Sequence, residues 1–342
     1  MSYRYIGNKT RLLSVLMEAI RGIVGSHASV ADMMCGTAAV SEALRQHRYR
    51  VIACDIMTFA AHHARSRLLF SKPPEFKGTG LGGYANVLRH LNRSDPIEGL
   101  FFKEYSPAGV PANGGEARMY FSGPNASKID AITVQLNRWQ EDGALSQLEN
   151  SLLRHDLVLA ANRVANIAGT YGHHRSKWNR AAHNRLRMLP TPLSSRHRTD
   201  HIVHQGSAEI VASRIKADLC YIDPPYMKRQ YAANYHIIET IARGDSPDAV
   251  GVSGLRPWRD QYSDFCSKIK IRDAFRAIFN SSECSQFMIS YSEDGLLSEE
   301  ELFELFSEVG TVSLRRIPFL RFKSNIGGRG GAVTEYLFHI KR

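Results

Sequence analysis

Two stretches of strand–helix alternation, separated by residues 71–199 that do not alternate, constrain this chain more than any other feature of it. VLMEAIRGIV (15–24) has apolar residues at helical spacing, and ASVADMM (28–34) is a short apolar strand. The helical TAAVSEALRQH (37–47), the strand RVIACD (50–55) and the helical TFAAHHARSRLLF (58–70) follow. Such alternation implies a parallel sheet covered by helices. It resumes with the strand HIVHQ (201–205), a helix at 207–215, the buried strand ADLCYID (217–223) and a helix near 234–243. QFMISYS (286–292) is a strand, and SEEELFELFSEVG (298–310) is a helix opened by a Ser298/Glu301 capping box. TVSLRRIPFLRF and AVTEYLFHIK form a closing strand pair joined through Gly327-Gly328-Arg329-Gly330-Gly331.

Between the stretches lie Pro73-Pro74, the glycines at 78, 80, 82 and 83, a loop at 107–115, and a helical tract over 128–167 broken near Gly143. Long connections in compact domains are usually functional. The expected architecture is a doubly wound, Rossmann-like α/β sheet from 1–70 and 200–342, with 71–199 inserted as a second, mostly helical region.

The chain has 342 residues, ample for a full core. No run approaches the ~20 apolar residues of a membrane span, and the N-terminus lacks a secretory apolar stretch. Five scattered cysteines with no CxxC pair argue against a disulfide framework or zinc ribbon, and for a reducing cytoplasm. Net charge is +11, which favours a polyanionic partner. Residues 154–200 hold nine basic residues (Arg154, Arg163, Arg175, Lys177, Arg180, Arg185, Arg187, Arg196 and Arg198) against Asp156 and Asp200, whereas 280–310 hold eight acids and no Lys or Arg. Such a molecule would dock a phosphate backbone in one orientation.

In doubly wound sheets ligands sit at the carboxyl ends of the strands. Those ends here carry Asp32-Met33-Met34-Cys35-Gly36, then Asp55, then Asp223-Pro224-Pro225-Tyr226. Asp55 lies 19 residues beyond Gly36, about where an acid accepts ribose hydroxyls in nucleotide-type sites. The dinucleotide fingerprint G-x-G-x-x-G is absent, as are a P-loop, H-E-x-x-H and G-x-S-x-G. The Asp-Pro-Pro-Tyr turn is the sharpest signal. Its prolines remove two backbone donors and stiffen the turn. A carboxylate beside a fixed carbonyl can accept both protons of an exocyclic amine, and the tyrosine offers a stacking face worth about 1–3 kcal/mol per base. That is a receptor for the amino group of a flipped nucleobase.

With these motifs in place the chain resembles the D12-class (alpha group) adenine-N6 DNA methyltransferases, the Dam-like and FokI-type modification enzymes. Tyr5-Ile6-Gly7-Asn8-Lys9 is similar to their first cofactor motif, Asp32 to Gly36 to the next, Asp55 to the acid after it, and Asp-Pro-Pro-Tyr to the catalytic tetrapeptide. Tyr120 to Ser122 with Asn125 to Asp130, Gly169 to Gly172, Arg229 to Tyr231 with Asn234 to His236, and Glu335 to Phe338 are similar to the FokI-type branch. The matches run from residue 3 to 340 in the family's order. The resemblance implies S-adenosylmethionine as methyl donor, met by Tyr5, Gly7, Lys9, Asp32, Met34, Gly36, Ser207 and Asp223, with Asp55 on the ribose hydroxyls. It also implies Asp223, Pro224, Pro225 and Tyr226 as the catalytic group and double-stranded DNA as substrate. A cognate restriction endonuclease or defence-system subunits are the implied protein partners.

The basic stretch and the loop after the tetrapeptide nominate Arg175, Lys177, Trp178, Arg180, Arg185, Arg187 and Arg229 for DNA contact. Two departures stand out. Met34 replaces the family's aromatic and Ala38 its second glycine, and Gly206-Ser207-Ala208 stands where relatives carry an acid for the cofactor's adenine amine. The pairs His62-His63 and His173-His174, and His201 with His204, lack matching Cys or acid at ligand spacing, so no metal is expected and the pairs read as helix-surface or DNA-facing polar residues. Cys35 and Cys54 read as small buried hydrophobes. An RNA adenine or cytosine-N4 methyltransferase and a non-catalytic DNA-binding relative remain as alternatives.

Overall fold

The computed structural model describes residues 5–7, 9–193, 200–320 and 332–342. Asn8, Arg196, Arg198 and the Gly327–Gly331 link lie outside them. The chain divides into two compact units.

One unit comprises the described residues of 7–68, 200–231 and 261–342. Its strands are β1 (Ser29–Asp32), β2 (Arg50–Asp55), β3 (Ile202–Gln205), the two-residue β4 (Lys216–Ala217), β5 (Leu219–Ile222), the two-residue β6 (Glu283–Cys284), β7 (Gln286–Ser292), β8 (Thr311–Leu320) and β9 (Ala332–Lys341). Seven of them form one sheet in the order β3-β2-β1-β5-β7-β9-β8, and β4 pairs with β6 apart from it. Every pairing from β3 across to β7 is parallel, while β9 runs antiparallel to both β7 and β8. The expected Rossmann-like α/β sheet and its closing strand pair are therefore present.

The central strands are apolar because both faces are covered, as parallel sheets require; all four residues of β5 are buried. Ala31, Ile52, Cys54, Cys220, Ile222, Phe287 and Ile289 line one face of the sheet. Phe275 and Phe279 from the helix Ile271–Ser281, and Phe306 from Glu299–Ser307, cover it with edge-on ring contacts such as Phe279–Phe287 at 4.9 Å. The capping box opens the latter helix as expected. The expected helix at 207–215 is shorter: Ser207 caps a single turn, Ala208–Val211, which tightens into a 3₁₀ turn at Ala212–Arg214. His62 and His63 correct the surface reading. Both are buried on the Ala-rich helix Thr58–Leu68, and burial pushes the His63 imidazole down to about 3.

The other unit comprises residues 69–193 and 232–260 with residues 5 and 6. It is mostly helical. The long tract forms two helices, Gly123–Glu141 and Gln147–Val164, and Gly143 between them takes φ +68°. Asp130 receives the amides of Gly99, Phe101 and Phe102 at 2.8–3.1 Å, so one carboxylate caps the helix Leu100–Tyr105.

Residues 232–260 depart from the expected partition, which gave them to the sheet. The helix His236–Arg243 packs on Gln147–Val164 instead: Arg154 donates to the Ile241 carbonyl at 3.3 Å and His236 Nε2 lies 3.1 Å from the Tyr171 carbonyl. Buried Arg118 pairs with Glu104 at 2.7 Å and donates to the Gly251 and Val252 carbonyls at 2.9 and 3.1 Å, fixing the following loop in the same unit.

Candidate active site

Sheet order reverses at β1, with β2 and β3 on one side and β5 and β7 on the other. A crevice at the carboxyl ends of strands flanking such a switch point is where doubly wound sheets bind ligands. Asp32 ends β1, Asp55 ends β2 and Asp223 directly follows β5.

Each carboxylate is held differently. Asp55 accepts the amides of Gly36 and Met57, both at 2.8 Å, and so fixes the first-strand turn against the second-strand end. Asp32 is fully buried and accepts the Ser41 hydroxyl at 2.6 Å. Burial pushes its carboxyl up to about 7, the Ser41 bond opposes this, and the charges of Asp223 and Asp55 add to the rise.

A pH dependence follows. A carboxyl near 7 in the folded chain but ~3.9 unfolded loses its contribution to stability as pH rises through that window. Asparagine does not titrate. The melting temperature of Asp32→Asn minus that of the wild type should therefore be more positive at pH 8 than at pH 5. Equal differences at both would show that Asp32 is ionised throughout.

The sequence names Lys9 and Glu335 but pairs neither with Asp223. The Lys9 ammonium lies 2.8 Å from Asp223 Oδ1 and 3.0 Å from Glu335 Oε1. Side-chain exposures of 5% for Lys9 and 6% for Glu335, against 17% for Asp223, leave Asp223 the most open of the three. Burial by itself would lower the Lys9 ammonium, but the two carboxylates outweigh it and hold its pKa well above the usual lysine value. Burial raises Asp223, with Lys9 opposing the rise. The Lys9 ammonium also sits 5.7 Å from the centre of the Tyr226 ring, which tilts against Tyr291 at 5.7 Å. Pro224 is buried, and the Tyr226 carbonyl accepts the Leu296 amide at 3.1 Å.

The first-strand turn is left-handed twice, at Gly36 (φ +50°) and at Ala38 (φ +58°). An L-residue pays roughly 1–2 kcal/mol there, against the ~0.5–1 kcal/mol entropic cost of a glycine. Ala38→Gly should stabilise the protein by about 0.5–1 kcal/mol, read as a higher urea midpoint. An unchanged or lower midpoint would mean that the Ala38 methyl packs well enough to offset the strain.

The other unit presents a basic strap. Residues 174–191 run past buried amides and hydroxyls that grip their backbone. Asn166 donates to the Met119 and Arg175 carbonyls, both at 3.0 Å. Asn125 exchanges bonds with Asn184 and Leu186, and Asn92 with Met188, at 2.8–2.9 Å. Thr191 is held by Asp156 at 2.6 Å and by Tyr84 at 3.0 Å. Leu186 and Met188 are buried while Arg185 and Arg187 are exposed, as are Arg175, Lys177 and Arg180. Trp178 is half-buried, 6.3 Å from His183. Two members of the basic run do not belong to this face. Arg154 is buried, and Arg163 donates to the Arg187 carbonyl at 3.0 Å.

The profile described as D12 class N6 adenine-specific DNA methyltransferase matches residues 5–305. The chain belongs to that family. It is similar to the type II methyltransferase M.FokI of Planomicrobium okeanokoites (31% identical over 99% of this chain and 52% of that protein). It is also similar to the modification methylase StsI of Streptococcus sanguinis (30%, 99% and 52%) and to the type II methyltransferase M.NlaIII of Neisseria lactamica (28%, 99% and 99%). The chain thus spans about half the length of the first two relatives.

Within this D12-class chain the structure sorts the nominated residues. Asp32, Gly36, Asp55, Lys9 and Asp223 share the sheet unit with Gly7, Met34, Ser207 and Tyr226. Tyr5 falls in the other unit, stacked on Tyr235 at 4.7 Å. The Lys9 ammonium, expected on the cofactor, lies between the Asp223 and Glu335 carboxylates. Ser207, expected to accept an adenine amine, uses its oxygen to cap Ile210 at 3.4 Å. The acid nearby is Glu209, two positions on, raised by burial and bonded to Ser207. Arg229 is exposed in the loop after Tyr226. Glu335 was legible only as one residue of a closing motif; its signal was an acid directly before the apolar run Tyr336-Leu337-Phe338. Among the described residues no helix is long and apolar enough to cross a membrane.

Proposed function

We propose that this protein transfers a methyl group from S-adenosylmethionine to N6 of adenine in double-stranded DNA, as the modification component of a restriction–modification system. One observation carries the reading: among the described residues, the carboxylates of Asp32, Asp55, Asp223 and Glu335 gather at one set of strand ends with the Lys9 ammonium among them. Burial is the main cause that raises the Asp32, Asp223 and Glu335 carboxyls, and neighbouring carboxylates add to the rise at Asp32 and Glu335, so a cationic sulfonium donor would be favoured there. The residues present fit that group.

S-adenosylmethionine supplies an electrophilic methyl group. Asp55, at the end of the second strand, would hold its ribose hydroxyls, and the left-handed turn at Gly36 would let backbone approach it closely. Met34, half-buried just after the first strand, packs against the core. On the substrate side, Tyr226 stacks on the extruded adenine. Asp223 and the Pro224 carbonyl accept the two amine protons, which favours a pyramidal, nucleophilic nitrogen. Asp223 then takes the proton the methylated amine gives up. Orientation carries much of the acceleration. Arg175, Lys177, Trp178, Arg180, Arg185 and Arg187 of the strap meet the phosphate backbone, and Arg229 meets it beside the target base.

Single-molecule sequencing of DNA from cells expressing the protein tests this reading. It should report N6-methyladenine at one short sequence. Unmodified DNA, or modified cytosine, would overturn it.

A further inference from the structure

Glu335 sits in β9, a strand paired on both sides, opposite Ser292 of β7 and Ile317 of β8. A carboxylate in such a place is expensive to bury unless it is paired. Its partner is not a neighbour in sequence but Lys9, in the 3₁₀ turn Lys9–Arg11 that opens the sheet unit. Lys9 bridges Glu335 and Asp223 at 3.0 and 2.8 Å, and Asp223 is the more exposed end of the bridge. Glu335 is therefore placed to act on Asp223 through Lys9 rather than on a substrate.

We propose that Glu335 is a positioning residue that divides the charge of Lys9. A Lys9–Asp223 pair alone would be neutral, and Asp223 would be a poor acceptor for the amine proton. With Glu335 sharing the ammonium, the three groups carry a net negative charge. Lys9 still fixes the orientation of Asp223 through Oδ1, and the carboxylate keeps the charge that the methylated amine requires. This rests on the methyltransferase reading above.

The test compares Glu335→Gln, Glu335→Asp and the wild type in steady-state methyl transfer to duplex DNA across pH, with melting curves to establish folding. In Glu335→Gln, Lys9 belongs wholly to Asp223, so the acid limb of the kcat profile should move to lower pH. Its kcat should fall by about tenfold or more, out of the ~10²–10⁴ a positioned proton acceptor supplies. KM for DNA and for the cofactor should stay within about twofold, because no substrate contact is lost. Glu335→Asp, which keeps the charge, should return the acid limb to its wild-type position. A folded Glu335→Gln enzyme with an unmoved acid limb, or one whose whole loss lies in KM, overturns the proposal.

Should Glu335→Gln not fold, Lys9→Gln/Glu335→Gln is compared with Lys9→Gln. Equal kcat supports action through Lys9, and a further fall overturns it. A wild-type protein that transfers no methyl group to DNA would instead defeat the underlying reading, so the two failures are distinguishable.

Discussion

Asp223→Ala should abolish methyl transfer and leave a folded protein. The carboxylate is the exposed end of the Lys9 bridge, and Lys9 retains Glu335 when Asp223 is removed, so no buried ammonium is stranded. Loss of a positioned proton acceptor costs about 10²–10⁴ in rate, and loss of the negative charge facing a developing cation adds to that. Asp223→Asn separates the two contributions. Its amide oxygen can still accept a hydrogen bond, yet it carries no charge, and it should be nearly as inactive as alanine. Initial rates of isotopic methyl incorporation into duplex DNA decide the matter. A folded Asp223→Ala protein working at near wild-type rate would remove Asp223 from the chemistry.

Replacing Arg175, Lys177 and Arg180 together with glutamine should weaken DNA binding by orders of magnitude at low salt while sparing cofactor binding. Each phosphate neutralised contributes about 0.9 to the slope of log affinity against log salt, so the triple variant should flatten that slope by about 2.7. The strap backbone is fixed by Asn166, Asn125 and Asn92 rather than by these three side chains, so the substitutions should not disorder it. Fluorescence anisotropy over a salt series is the measurement. An unchanged slope would make the charge run a solvated face.

The sheet was legible because parallel strands covered on both faces must be apolar runs, and LCYI and QFMISYS are such runs. The strand-end acids were legible for the same reason: each interrupts a run where it meets the crevice. Alternation counts elements, however, and does not say what they pack against, so the helix His236–Arg243 was assigned to the sheet although Arg154 and Tyr171 hold it in the helical unit. Charge counting failed similarly at Arg154, whose guanidinium is buried against Asn137 and a backbone carbonyl. His62 and His63 looked like surface residues because their helix has no polar stripe to orient it. Lys9 and Glu335 lie at opposite ends of the chain, and only the folded sheet unit brings them to Asp223.

The charge cluster around Asp223 should methylate adenine N6 in DNA. Incubating the purified protein with S-adenosylmethionine bearing a labelled methyl group and with duplex DNA or RNA, then digesting to nucleosides and separating them by chromatography with mass detection, tests it most directly. The label should appear as N6-methyladenine from DNA alone, and disappear with Asp223→Ala. Label in cytosine, label in RNA but not DNA, or no transfer from a protein that binds the cofactor would contradict the account.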